Sequence, residues 1–378
     1  MKPILPCKRS LIFAGVTALF FGQVWLPWLI GAAQGQVSEN AAGTAATSMN
    51  AACGQELREL CSGVQPGQGR LLKCLAGHTA NLSPACRTFL TQDREGCVAE
   101  PGRSIQCIKP SDTDASIRRF DRLHYVLSNQ TTPSTANLLV FPPGTFGKPP
   151  GPRTFLQAAA DAGYRVISLD YNDEPAVNAF CPRRGPSCSA DFRRMRVFGD
   201  GISIDPSFDN TRAESIVNRL VKLLVFLDRE EPRQNWAGYL DNGALNWSRI
   251  AFAGQSQGAG MAAYIAKGQP VARVILFSSP WDFVVSNGKI QMLAPWLATP
   301  PQTPSDRWFG GYHERENQAS LLAKSYAALR ILPQNIRVFK GDLPPSLGGK
   351  KDANPFHGEG LYDPAYEQDR TFFLGRSP

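Results

Sequence analysis

From about residue 118 onward, short apolar runs alternate with longer amphipathic stretches. The runs RLHYVLS, ANLLVF, YRVISLDY, RIAFAG, RVILFSS, RWFGGY and IRVFK have the length of β-strands. Several are apolar at nearly every position, the pattern of strands covered on both faces. Between them, residues 153–162, 214–228, 258–267 and 317–330 read as helices. In the second of these, Ile216, Leu220, Leu223, Leu224 and Leu227 recur every three or four residues and define one apolar face. Strands alternating with helices predict a doubly wound, mostly parallel α/β sheet over residues 117–378. Its crossovers are right-handed, and its ligand site lies beyond the carboxyl ends of the strands.

The first hundred residues have a different texture. Lys2, Lys8 and Arg9 precede an apolar stretch at 11–30, and GAAQGQ follows with small residues suited to cleavage after Ala33. Residues 1–33 are therefore expected to be an export signal. An uncleaved membrane anchor is the rival reading, and Pro27 with the small residues after it favours cleavage. Periplasmic or secreted localisation follows. Residues 34–52 are small and polar without periodicity, as a flexible linker is.

Residues 53–107 hold most of the cysteines. Cys7 lies ahead of the apolar stretch and is expected to leave with the signal. Eight remain: Cys53, Cys61, Cys74, Cys86, Cys97, Cys107, Cys181 and Cys188. An even number in an exported chain predicts disulfides, and no CxxC or Cys/His pair offers the spacing of zinc ligands. Leu57, Leu60, Leu71, Leu72 and Leu75 fall at helical spacing between the cysteines, and Ser83-Pro84 reads as a helix start. So small a piece cannot bury enough apolar surface alone, so short crosslinked helices make physical sense. Cys53, Cys61, Cys74 with Leu75, and LSPAC ending at Cys86 resemble the cysteine-rich repeat of a Golgi sialoglycoprotein and of bacterial exported proteins. The resemblance implies a helical, disulfide-bonded module without chemistry of its own, open to a partner in the cell envelope.

Composition narrows the function classes. The 378 residues are 43% hydrophobic and 19% charged, a globular balance. The net charge of +8 is spread in pairs such as Arg118-Arg119, Arg183-Arg184 and Arg193-Arg194. Without a longer basic run or a nucleic-acid module, this is a mildly basic solvated surface, and no nucleic-acid partner is expected.

The candidate chemistry sits in RIAFAGQSQGAGMAAYIAKG. A G-x-S-x-G pentapeptide is weak evidence alone, but here an apolar strand precedes it and a small-residue helix comes after it. A nucleophile elbow needs that context, with glycines where bulk would collide at a strained turn. Ser256 is thus the expected nucleophile, facing a helix N-terminus that favours developing negative charge. The alternative is an ordinary glycine-rich turn. A serine hydroxyl needs a base, and the chain has four histidines. His78 lies among the cysteines and His124 on an early strand. His357, in NPFHGEG after the last strand, is expected to be the base, with His313 a substrate-side or supporting group. The acid is Glu316, in GGYHEREN, or Asp282, in SSPWD, with Glu316 favoured. The oxyanion hole would draw on the N–H of Gln257 and, from the PPGTFG loop, of Thr145 and then Phe146, since Pro142 and Pro143 have none to give. Trp281, Trp296, Trp308 and Phe309 are candidates for an acyl pocket, although core positions are commoner for such residues.

LLVFPPGTFGKPP, AGYRVISLDY, SIVNRLVKLLVFL, AGQSQGAGMAAYIAK, VARVILFSSPWD, FGGYH and HG at His357 together resemble bacterial and fungal α/β-hydrolases of esterase type. The likeness spans about residues 120–360. It implies Ser256 as nucleophile, His357 as base, the Thr145 loop as oxyanion donor, and a loop near the site closed by Cys181 and Cys188. Two departures stand out: Gln255 replaces a histidine usual before the serine, and Glu316 an aspartate. The expected activity is hydrolysis of a small-molecule or polymer carboxylic ester through an acyl-enzyme, with amide hydrolysis open and no cofactor or metal. The competing reading is an inactive hydrolase-fold binding or scaffolding protein of the envelope.

Overall fold

The computed structural model describes residues 49–375, apart from 65–73, 76, 88–96, 98–99, 204, 207–208 and 343–353. The expected signal at 1–33, the linker up to residue 48, and Leu71 and Leu72 lie outside the described residues, whereas residues 49–52, read as the end of the linker, already belong to the helix Met49–Leu60. Eight strands form the central sheet: β1 Arg103–Ile108, β2 His124–Asn129, β3 Leu138–Phe141, β4 Arg165–Ser168, β5 Ile250–Gln255, β6 Arg273–Phe277, β7 Trp308–His313 and β8 Ile336–Phe339. Their spatial order is β1-β2-β4-β3-β5-β6-β7-β8. β1 and β2 are antiparallel to their neighbours, and the pairings from β4 to β8 are all parallel.

Helices cover both faces: α2 Arg153–Asp161, α3 Cys188–Phe198, α4 Ile216–Glu230, α5 Gln257–Gly268, α6 Ala319–Ala328 and α7 Glu367–Leu374, while α1, Met49–Leu60, belongs to the cysteine-rich segment. The pleat divides the core. On one side Leu138, Val140 and Phe252 meet Leu220 and Leu224 of α4 and Met261 of α5. On the other Leu139, Phe141 and Ala253 meet Phe155 and Leu156 of α2 and Phe373 of α7. Alternate residues of one strand thus serve two cores, so the strands read as continuous apolar runs. The five positions expected on the apolar face of α4 are all buried, and the Ser215 hydroxyl caps the helix by accepting from the Asn218 N–H at 3.2 Å. This is an α/β-hydrolase-like fold.

In the cysteine-rich segment, Cys53–Cys86 and Cys61–Cys74 tie α1 to residues further along the chain. These cysteines with Leu75 and Leu82 make a small core of their own. Ser83 accepts the Cys86 N–H at 3.2 Å, and its own N–H donates to Glu56 at 2.8 Å. Closing a loop with a separation of 33 residues is worth about 3–4 kcal/mol in the chain-entropy account. Strand β1 starts inside the span 53–107, so the sheet begins before that span ends, and Cys97–Cys107 ties the preceding segment to this edge strand. Cys181–Cys188 closes a loop ahead of α3. Four disulfides suit an oxidising compartment. No helix among the described residues is long and apolar enough to cross a membrane.

Candidate active site

The carboxyl ends of β3, β5, β6, β7 and β8 converge on one rim of the sheet, and the functional candidates lie in the segments that leave them. Ser256 comes directly after β5 and has φ 52° and ψ −124°, a conformation an L-residue holds only when its surroundings impose it. They do so here. Its N–H donates to the Phe277 carbonyl at 3.0 Å, and α5 starts at the next residue. A Cβ at Gly254 would collide with the backbone of Gly258 and Ala259, and one at Gly258 with the carbonyl oxygens of Pro142 and Pro143. The spacing of the pentapeptide is therefore a steric requirement: strand, helix and the loop after β3 approach more closely than a side chain allows.

The segment after β3 packs against this turn. Gly144 and Gly147 close a turn at 2.8 Å, with Phe146 at φ 61° inside it. Thr145 lines a narrow pocket of about 20 Å³ with Ser256, Gln257, Val177, Asn178 and Trp281, and its hydroxyl oxygen is buried without a partner among the described residues. The Phe146 side chain is 74% exposed and points away from packing. Gln257 offers an N–H from the first turn of α5, where helix donors lack intrahelical partners. Its side chain anchors the opposite wall: Oε1 accepts the Val177 N–H at 2.7 Å and Nε2 donates to the Asp173 carbonyl at 2.7 Å.

Glu316 lies just beyond β7, and its carboxylate is fully buried. One oxygen accepts the Ser278 hydroxyl at 2.6 Å and the His313 N–H at 2.9 Å, while the other lies 3.0 Å from Nδ1 of His357. The longer side chain thus spans the gap to a ring delivered by the segment after β8. Such a contact fixes the ring orientation and leaves Nε2 for other partners. The His357 side chain remains 21% exposed, its ring centroid 4.9 Å from that of Trp281. Trp281 therefore connects the Ser256 pocket to His357.

Asp282 does not join this cluster. It is engaged by Arg193, whose Nε and Nη2 donate at 2.7 and 2.5 Å, and by Trp296 Nε1 at 2.8 Å. Buried on both sides, this pair braces α3 against the loop after β6. His313 is also placed as support: Nε2 lies 2.8 Å from the Gly341 carbonyl and the ring stacks on Phe356 beside His357. Burial pushes its pKa down, favouring the neutral ring. His124 is wholly buried and accepts the Asp170 N–H at 2.9 Å, and His78 lies on the exposed surface of the cysteine-rich segment. Of the four aromatic candidates, only Trp281 lines the pocket. Trp296 and Trp308 lie in one core and Phe309 in the other.

Gln255 fills the space between two site loops. A Cβ at Gly144 would meet its Oε1 at 2.6 Å, and one at Gly358 its Nε2 at 3.6 Å. Ser278, with φ 54°, and Arg193 were not apparent from sequence. Neither carries a motif, and their partners Glu316 and Asp282 lie far along the chain.

Neither a protein-family model nor a curated protein matches the chain. Solved structures similar to it include a bacterial heroin esterase (17% identity, 84% of this chain and 96% of that one, TM-score 0.37). Others are the esterase LipW from Mycobacterium marinum (16%, 75% and 84%, TM-score 0.37) and a cold-adapted esterase from an Arctic intertidal metagenomic library (11%, 74% and 97%, TM-score 0.39).

Proposed function

We propose that the protein is an exported serine hydrolase acting on carboxylic esters through an acyl-enzyme. The observation that carries this reading is the buried Glu316 carboxylate 3.0 Å from His357 Nδ1, on the same strand-end rim as a strained Ser256. In this mechanism His357 Nε2 takes the proton as the Ser256 hydroxyl attacks the ester carbonyl. Glu316 holds the tautomer and stabilises the imidazolium that forms. The N–H groups of Gln257 and Thr145 receive the oxyanion, assisted by the α5 N-terminus. The alcohol leaves with the proton held by His357, and water, activated by the same ring, releases the acid.

A glutamate in place of the usual aspartate would favour an inactive scaffold if its carboxylate missed the imidazole, and at 3.0 Å from Nδ1 it does not. Export rests on the charged and apolar N-terminal stretch together with four disulfides. The cysteine-rich segment is assigned a structural or partner-binding role. The test is Ser256→Ala with a short-chain p-nitrophenyl ester. Turnover should fall to the background of the uncatalysed reaction, and an unchanged rate would remove Ser256 from the mechanism.

A further inference from the structure

The pocket at Ser256, about 20 Å³, holds little beyond the reacting atoms. Asn178 is shared between it and a much larger cavity of about 550 Å³, a size suited to a small organic ligand. This second cavity is lined by Phe180, Arg183 and Arg184 from one side and by Phe283 and Val285 from the other. It opens between the loop closed by Cys181–Cys188 and a β-hairpin of Phe283–Ser286 and Lys289–Leu293. The walls are joined where the Val285 N–H donates to the Pro182 carbonyl at 2.6 Å.

Its charge is one-sided. Arg183 and Arg184, both exposed to solvent, line it and no Asp or Glu does. Neither Arg183 nor Arg184 has a carboxylate partner among the described residues, although other arginines nearby are paired, Arg193 with Asp282 and Arg194 with Asp200. Arg184 is held with its guanidinium carbon 3.7 Å from the centroid of the Phe180 ring, so its fork is oriented without being neutralised. Phe180 and Phe283 add apolar surface to the same lining.

We infer that this cavity binds the far end of the substrate, and that the substrate is an ester carrying an anionic group, such as a carboxylate, away from the scissile bond. The inference rests on the serine hydrolase reading and adds a substrate class to it. A carboxylate matches a guanidinium in geometry as well as charge, and the aliphatic or aromatic spacer would lie against Phe180 and Phe283.

The experiment compares matched ester pairs. The p-nitrophenyl half-esters of succinic, glutaric and adipic acids place the anion on the acyl side, and each is paired with its methyl-capped neutral diester. Acetylated p-hydroxybenzoate and its methyl ester place the charge on the alcohol side. The ratio of kcat/KM, charged over neutral, should exceed about tenfold in at least one pair. It should fall toward unity in Arg183→Gln/Arg184→Gln and decline with added salt. A ratio at or below one in every pair, or a ratio the double variant does not move, would overturn the inference. Should the wild-type protein cleave no ester at all, the hydrolase reading fails separately. Calorimetric titration with glutarate and adipate then decides the cavity: binding weakened at least about tenfold in the double variant supports it, whereas equal binding, or none to the wild type, refutes it.

Discussion

Replacing Glu316 by Gln tests the electrostatic core of the mechanism with almost no change in shape. The native carboxylate accepts from Ser278, from the His313 N–H and from His357 Nδ1. An amide has one oxygen and one NH₂. The oxygen is claimed by Ser278 and His313, both donors on one side, so the NH₂ faces His357. Nδ1 must then accept, the ring proton moves to Nε2, and the base can no longer take the proton of Ser256. Loss of both tautomer and countercharge should lower kcat on p-nitrophenyl butyrate by about 10³–10⁴, equivalent to about 4–5.5 kcal/mol of transition-state stabilisation. KM should change little, because the amide touches no substrate. Glu316→Asp keeps the charge but retracts it by about 1.5 Å, the length of one bond, and should lose about 10–100-fold if the His357 segment moves with it only in part. Thermal melts verify that both variants are folded. Turnover by Glu316→Gln within about threefold of wild type, far below the expected loss, would refute the reasoning.

Asp282→Asn should act on stability more than on chemistry. It leaves Arg193 buried and unpaired, at a cost of about 3–5 kcal/mol, so the melting temperature should drop by about 10 °C, with a smaller loss of kcat than in Glu316→Gln. Gly258→Ala forces a methyl group against the Pro142 and Pro143 carbonyls; activity should be lost, with labelling of Ser256 as the readout. His124 is buried with its pKa well below the ordinary value through desolvation and the neighbouring Arg219 charge. Below about pH 6.5 the unfolded chain takes up a proton that the folded ring refuses, so this contribution is complete above that pH and lost as the pH falls. Urea melts at pH 7 and pH 5 should show wild type losing more stability than His124→Asn, by up to about 1.4 kcal/mol per pH unit.

Much of the fold was legible because a parallel sheet buried on both faces writes itself as continuous apolar runs, and each of the seven runs matches one of its strands to within a residue at its carboxyl end. Strand β1 was not legible: it is an edge strand, half-exposed, with serine and glutamine among its six residues. Helix α3 was missed because Arg193 and Arg196 occupy its buried face, the first satisfied by Asp282 and the second by Asn210 and the Glu174 carbonyl. No hydropathy pattern records a core position filled by an ion pair. Ser256 was legible because the elbow is a local device of five residues. The choice between two carboxylates was not, since it depends on Arg193, 89 residues away from Asp282. The cavity beyond Asn178 was equally hidden, being assembled from two segments about a hundred residues apart.

Covalent labelling reaches the central claim most directly. Incubation of the purified protein with a fluorophosphonate, digestion and mass spectrometry should place one adduct on the peptide bearing Ser256. Ser256→Ala should show none, and His357→Ala should label far more slowly because the hydroxyl is no longer activated. An unlabelled wild-type protein, an adduct on another serine, or labelling at an equal rate without His357 would contradict the account.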